Sequence, residues 1–482
     1  MPSLKTKTLA LILGAAAFVA APVSADEGTS PQSIKLSPDQ MQLAAELNLR
    51  NGHVDRALAF ADALLLRDPN DITALLVRAH AFRIMKRYDE AQDAARDGWR
   101  QADTDNHKYA AAMLMAQALS ADGKRTRAQL WLRRASDVAP SAAHAARVAQ
   151  DFRYVQQRNP WQTNLSFTLQ PSSNINNGSA RETSTLLYEI LGPLTGGGEV
   201  VLGASSKALS GLETGVDVQT RYRFHQTERT AHDLRVALSY STYQLSASAK
   251  RDLAEDDADR IARGEEPANI TGNDFAYGTV QIGYGFKKLR EDRRGEFHLT
   301  ADIGQSFYGG VRYNSYLRTA IGQSYYLTQK SKLDVGLSSD LRHAQRGADQ
   351  DQLTLTAGLS RQLASGDGLY LGTSASVVRS DVERLEYDEI RLRTGYLLGR
   401  EVLGTALQFG ISTSFRDYYV SPHDPSGRRD FQISAEATAT FKQIDYMGFN
   451  PTVSLTASKT NSNIGLYDVN RFGIGIGIAS AF

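Results

Sequence analysis

The chain closes on Arg471-Phe472-Gly473-Ile474-Gly475-Ile476-Gly477-Ile478-Ala479-Ser480-Ala481-Phe482. Phe472, Ile474, Ile476, Ile478 and Phe482 share one parity, while Gly473, Gly475, Gly477, Ala479 and Ala481 share the other. In a β-strand this puts every large side chain on one face and the small ones on the other. A strand of this length running to a terminal aromatic reads as the closing strand of an outer-membrane barrel, apolar toward lipid and small toward a crowded lumen. It also reads as the insertion signal offered to a barrel-assembly machinery. A half-buried strand of a soluble sheet has the same period. The decision therefore rests on whether the pattern recurs.

It recurs from Asn159 onward. Leu234, Val236, Leu238 and Tyr240 oppose Arg235, Ala237 and Ser239; Leu333, Val335, Leu337 and Leu341 oppose Asp334, Gly336, Ser338, Asp340 and Arg342. Candidate strands fall near 163–170, 209–224, 232–246, 274–288, 296–309, 313–328, 331–345, 351–364, 368–381, 388–402, 404–419, 428–442, 449–461 and 468–482. These number fourteen, an even count as single-chain bacterial barrels have. Tight turns near 225–231, 290–295, 329–330, 365–367 and Leu403 alternate with longer connections at 171–208, 247–273, 382–387 and 420–427. Tyr325–Tyr326 and Tyr418–Tyr419 stand near strand ends, where aromatic girdles are expected. A soluble sandwich shares the parity. Strand number, strand length, an export leader and the terminal aromatic favour the barrel, which alone leaves no open sheet edge in lipid. A barrel of this size holds water unless loops fill it.

Ahead of the strands the period is helical and repeats. Gly52, Lys86 and Gly123 mark turns 34 and then 37 residues apart. Ala45, Ala79 and Ala116 lie seven residues before these turns, and Ala57, Ala91 and Ala128 five after them. Alanines let paired helices approach closely, and Pro69 and Pro140 stop the second helix of their units. The pattern resembles the tetratricopeptide (TPR) repeat over roughly 38–143, with Asp103 in place of the second proline and a three-residue insertion before the third unit. A helix from Ala142 to Arg158 would cap the stack. Such stacks bind extended or helical segments on the concave face lined by their first helices. That register places Glu46, Arg50, His80, Arg83 and Gln117 near the groove.

Residues 1–25 carry Lys5 and Lys7, an apolar run from Leu9 to Ala21, and Val23-Ser24-Ala25. This is the pattern of a cleaved secretory signal, and the run is shorter than a bilayer-spanning helix needs. The expected organisation is signal 1–25, linker 26–37, an all-α TPR-like domain over 38–158 in the periplasm, and a transmembrane antiparallel barrel over 159–482. With 54 Lys+Arg against 53 Asp+Glu, no global field points to nucleic acid. Cysteine is absent, which removes disulfides, thiolate catalysis and Cys-ligated metal sites. Gly473-x-Gly475 lacks the strand–turn–helix context of a nucleotide loop, and Gly196-Gly197-Gly198 lacks the Lys-Ser/Thr of a phosphate cradle. Glu255-Asp256-Asp257-Ala258-Asp259 lacks the glycine-centred turn of a calcium loop and reads as a solvated surface loop. His80 has no ligand partner at i+4. Arg391, Arg393, Asp302, Asp334, Arg342 and Glu436 fall on the lumen parity and form no catalytic set. No catalytic residue, metal site or cofactor is expected, and the chain reads as a non-enzyme.

At the domain junction stand Asn159-Pro160-Trp161-Gln162, then a strand, then Ser173-Asn174-Ile175-Asn176-Asn177. These motifs, between a short TPR stack and a fourteen-strand barrel, resemble the surface lipoprotein assembly modulators, the Slam family. The resemblance implies a Gram-negative outer-membrane protein that moves a substrate, a surface lipoprotein or a secreted haemophore-like protein, to the cell surface. The periplasmic stack would engage the substrate or its chaperone, and the barrel would pass or fold it. Two other readings fit a TPR–barrel chain: an exopolysaccharide export porin, usually with a longer solenoid and sixteen strands, and a passive porin with an interaction arm.

Overall fold

The computed structural model describes residues 35–186, 198–444 and 449–480. The apolar leader, Gly196–Gly197 and the terminal Phe482 lie outside the described residues. Antiparallel helices form the first part: α1 (Pro38–Arg50), α2 (Val54–Arg67), α3 (Ile72–Ile84), α4 (Tyr88–Gln101), α5 (Asp105–Ala121), α6 (Arg125–Asp137) and α7 (Ala142–Arg158). The repeat positions do what their spacing requires. Ala45, Ala57, Ala79, Ala91, Ala116 and Ala128 are all buried between helices. Gly52 and Gly123 turn the chain at φ +79°, and Lys86 is forced into the same left-handed region at φ 61°. Each first helix opens on a side-chain cap, from Ser37, Asp71, Thr104 and Ser141, whereas the second helices have none. Each cap stabilises its helix by about 1 kcal/mol. Met115, Leu119, Leu132, Val148 and Phe152 then form one continuous core across α5, α6 and α7.

The second part is a closed antiparallel barrel of fourteen strands. They are β1 (Trp161–Ser172), β4 (Gly211–Gln226), β5 (Thr230–Leu245), β6 (Tyr277–Leu289), β7 (Gly295–Tyr308), β8 (Val311–Thr328), β9 (Ser331–Ala344), β10 (Gln350–Gln362), β11 (Gly368–Ser380), β12 (Tyr387–Leu397), β13 (Thr405–Tyr418), β14 (Arg428–Phe441), β15 (Phe449–Ser462) and β16 (Val469–Ser480). A small hairpin, β2 (Thr183–Leu186) and β3 (Gly198–Val201), lies in the first connection.

Which face is outside separates membrane barrel from soluble sandwich. Leu234, Val236, Leu353, Leu355, Ile390, Ile474 and Ile476 point outward and are exposed, Leu355 and Ile476 each by 60%. Asp233, Asp302, Asp340, Glu389 and Asp430 point inward and are buried. An apolar band outside and a polar lumen within is the inversion that only a bilayer stabilises. No helix among the described residues is long and apolar enough to cross a membrane. The strands do so.

Three local expectations are corrected. The acidic stretch is helical, part of α8 (Ala247–Ala262). Its carboxylates organise the surrounding loop, Asp256 accepting from the Ala204 amide and Asp257 from those of Ala268 and Asn269. Tyr418 is no girdle residue: it faces the lumen, packing against Tyr387 with ring centroids 4.8 Å apart. Adjacent strand residues face opposite ways, so a Tyr–Tyr pair supplies one side chain at most to lipid. The long-loop end also holds a tight connection, Gly309-Gly310, with φ +56° and +78°.

The closing strand is where the sheet is thinnest. β1 pairs with β4 without interruption from Trp161↔Tyr222 to Ser172↔Gly211. Against β16, the pairing among described residues is Thr168↔Gly477, Leu169↔Ile476 and Ser172↔Gly473. Pro171 has no amide to donate there. The glycines of β16 serve their neighbours' side chains. Gln170 crosses above Gly473 to donate to Thr456 on β15 at 2.9 Å, and a Cβ at Gly473 would stand 2.0 Å from the Gln170 Nε2.

Candidate functional site

Two surfaces hold converging functional groups, one on the helices and one in the barrel. On the helices, α3, α5 and α7 put their exposed faces side by side. Their groove holds a cavity of about 440 Å³ lined by His80, Tyr109, Met113, Leu114, Gln117, His144 and Arg147. Of the five groove residues read from sequence, His80 and Gln117 meet in this cavity. Arg83 follows His80 by one turn, and with burial as the larger cause it holds the His80 imidazole below its ordinary pKa. Glu46 and Arg50 lie elsewhere on α1 and pair with each other at 3.9 Å. Sequence reasoning missed Tyr109, His144 and Arg147. The signal is in the sequence, because the first two turns of α7 continue the succession of first helices. Tyr109 and His144 meet edge to face at 4.9 Å, joining α5 to α7.

The junction fixes the stack to one mouth of the barrel. Asn159 is buried. Its amide donates to Thr126 at 3.0 Å and Gln129 at 2.9 Å on α6, and its oxygen accepts from the Trp161 amide at 3.1 Å. The Pro160 carbonyl accepts from the Arg223 amide at 2.8 Å, and Trp161 packs on Tyr222. Arg133 of α6 lies 4.7 Å from the centroid of Phe449, the first residue of β15. All of these sit at the end carrying the short connections 227–229, 290–294, 329–330, 363–367 and 398–404.

Ser173–Asn177 organises the opposite end. The Asn174 amide donates to the carbonyls of Gly178 and Asn470, and Asn176 spans to Ser205, Lys207 and Leu209. Ser173 and Phe472 bond in both directions at 2.9 Å. Short polar side chains here replace strand partners, so the motif latches β1 to β16 where regular pairing has ended. Ile175, Leu209, Leu245, Ala249 and Leu253 pack beneath it, giving this loop a core of its own.

The lumen wall is a ladder of ion pairs. Arg223 meets Asp233 at 2.8 Å, Arg318 and Arg342 meet Asp340 at 2.7 and 2.9 Å, and Arg416 and Arg391 meet Glu389 at 2.6 and 3.1 Å. Arg235 reaches Asp302 at 3.3 Å two strands away, crossing Gly283, where a Cβ would collide with the carboxylate. The lumen charges expected from parity are where parity put them. Asp302, Asp334 and Arg342 belong to this wall, and Arg391, Arg393 and Glu436 line a cavity of about 690 Å³ with Glu213 and Arg471. Guanidinium groups set against these carboxylates make a charged, polar lumen surface. Among the described residues no three His, Cys, Asp or Glu converge as metal ligands would.

The barrel, its latch and the helical stack are the frame in which sequence relatives become informative. Residues 264–482 match the family model "Surface lipoprotein assembly modifier". This is the family that the junction and Ser173–Asn177 motifs resemble, and the match runs from just past α8 through β16. The match covers strands β6 to β16 of the barrel and none of the helical stack. No curated protein matches the chain. Among solved structures, the helical part is similar to the Yersinia enterocolitica type III secretion translocator chaperone SycD, at 20% identity over 26% of this chain and 88% of that one, TM-score 0.24. The barrel is similar to an outer membrane channel from Pseudomonas putida F1, at 8% identity over 66% of this chain and 95% of that one, TM-score 0.31. It is also similar to a BenF-like porin from Pseudomonas fluorescens Pf-5, at 11% identity over 66% and 98%, TM-score 0.32.

Proposed function

We propose that this chain is an outer-membrane translocator that delivers a substrate protein, a surface lipoprotein or a secreted haemophore-like protein, to the cell surface. The observation that carries the reading is the junction. Asn159 and the Arg133–Phe449 contact hold a grooved helical stack at one mouth of a polar-lined barrel. A passive pore needs no such arm. The stack's end bears the short turns, which in outer-membrane barrels lie in the periplasm. The groove would thus meet substrate before the lumen does, and barrel-assembly machinery would insert the chain through its terminal strand. Fourteen strands fit this reading better than an exopolysaccharide porin, for which sixteen are expected. The test is a chromosomal deletion followed by quantitative surface and secreted proteomics. The expected result is one or a few exported proteins retained in the periplasm and restored by complementation. Unchanged surface and secreted proteomes would refute the proposal.

A further inference from the structure

Charge balance differs between the faces of the helical stack. Several cations away from the groove have carboxylate partners: Arg78 pairs with Asp62 at 3.5 Å, Arg87 with Glu90 at 2.8 Å, Arg96 with Asp93 at 2.6 Å, and Lys124 with Asp89 and Asp122 at 3.1 and 2.6 Å. On the groove side, Arg83 and Arg147 have no ion pair within 4.0 Å among the described residues. Arg83 additionally keeps its Nε buried and without a hydrogen-bond partner. A buried donor left unpaired is costly, because it has lost water without gaining an acceptor. The carboxylates that the three groove helices could offer are few. α3 has none, α5 has Asp105 at its N-terminus, and α7 has Asp151. Burial raises the Tyr109 phenol's pKa, Arg147 pulls it back down, and Asp151 adds a smaller push upward. Asp151 thus lies near the groove, yet no ion pair within 4.0 Å joins it to Arg147 among the described residues.

The α5 face of the groove is largely apolar, with His80, Gln117 and His144 at its edges. Tyr109, Met113 and Leu114 floor the cavity of about 440 Å³, within the roughly 300–1,000 Å³ of ligand pockets. Methionine adapts to irregular apolar partners. Arg147 lines the cavity from α7, and Arg83 lies one turn beyond the α3 lining residue His80, with Tyr109, Met113 and Leu114 on α5. This arrangement fits alternating side chains of an extended polypeptide. A polynucleotide would call for contiguous cations along a backbone track.

We infer that the α3–α5–α7 groove binds an extended acidic segment of the substrate protein, one apolar side chain seated on Tyr109, Met113 and Leu114 and flanking carboxylates meeting Arg83 and Arg147. The inference rests on the translocator reading and adds the class of segment recognised. Two charge-assisted hydrogen bonds to carboxylates should favour the acidic ligand about tenfold or more over a neutral one.

The test uses the full chain in detergent micelles and fluorescein-labelled peptides built on a Leu-Glu-Ser repeat, with glutamine and lysine versions of the same length. Fluorescence anisotropy should rank glutamate tightest by at least about tenfold, with the difference shrinking as salt rises. Arg83→Gln with Arg147→Gln should abolish the preference, while Arg96→Gln, on the paired side of the stack, should leave it intact. Arg147→Glu should turn the preference toward the lysine peptide, a gain that a misfolded variant does not produce. Equal binding of the glutamate and glutamine peptides by the unmodified chain overturns the inference. So does a preference that survives the double substitution, since the peptide would then be held elsewhere. If the groove proves acid-selective while the deletion leaves the surface proteome unchanged, the translocator reading falls and the groove assignment stands.

Discussion

Gly473→Ala tests the closing seam, and its effect should change sign with one neighbour. The added Cβ would lie 2.0 Å from Gln170 Nε2, so the Gln170 side chain must swing away and release Thr456, which it reaches at 2.9 Å. Losing that hydrogen bond removes about 0.5–1.5 kcal/mol, and an off-rotamer glutamine adds about 0.5–1.5 kcal/mol. Alanine is more favourable than glycine within a strand by roughly 0.5–1 kcal/mol. The net expectation is a destabilisation of about 0.5–2 kcal/mol. With Gln170→Ala already in place there is nothing to displace, and only the backbone gain remains. Gly473→Ala should then stabilise by about 0.5–1 kcal/mol. Reversible urea unfolding in micelles, followed by tryptophan fluorescence and by the gel shift between folded and heated barrel, measures all four corners of the cycle. Additive effects, with the same sign in both backgrounds, would refute the claim that the glycines of β16 exist to let β1 reach β15.

Replacing Lys86 with glycine should stabilise the stack by about 0.5–1 kcal/mol, since Lys86 holds φ 61° and glycine adopts that region freely; hydrogen exchange of α3 and α4 amides should slow. Asn159→Leu removes three hydrogen bonds, about 2–4 kcal/mol in sum. Spin-label distances between α6 and β15 should broaden while the barrel's own gel shift persists; unbroadened distances would count against the junction as the clamp. Asp367, in the turn before β11, accepts from Ser365, Tyr396 and the Gly399 amide, and these bonds lower its pKa to about 2. A depressed carboxylate stabilises the fold above its unfolded pKa, and that contribution is lost as pH falls from 3.8 through about 2. Asp367→Asn should flatten the unfolding midpoint over that acid window and leave its slope at neutral pH unchanged.

Much of this architecture was legible because it is periodic. Strand parity is a local property, so every candidate strand from 163–170 to 468–482 has its counterpart in the barrel, most ends shifting by only a few residues. The 34- and 37-residue turn spacing located the stack, because close helix approach admits alanine and the turns demand a left-handed residue. Parity even placed Asp302, Arg391 and Glu436 in the lumen. What parity cannot carry is which surface meets lipid, because a sandwich and a barrel share the same alternation. Contacts across distant sequence decided the rest. Arg147 enters the groove only once α7 is packed on α5, and Asn174 becomes a latch only when residues near 178 and 470 are brought beside it. Gln170 spans to Thr456 only when the first strand meets the last. A one-dimensional sequence records the period of each element through its own side chains, whereas a bond between elements depends on register and closure, which exist only in the folded chain.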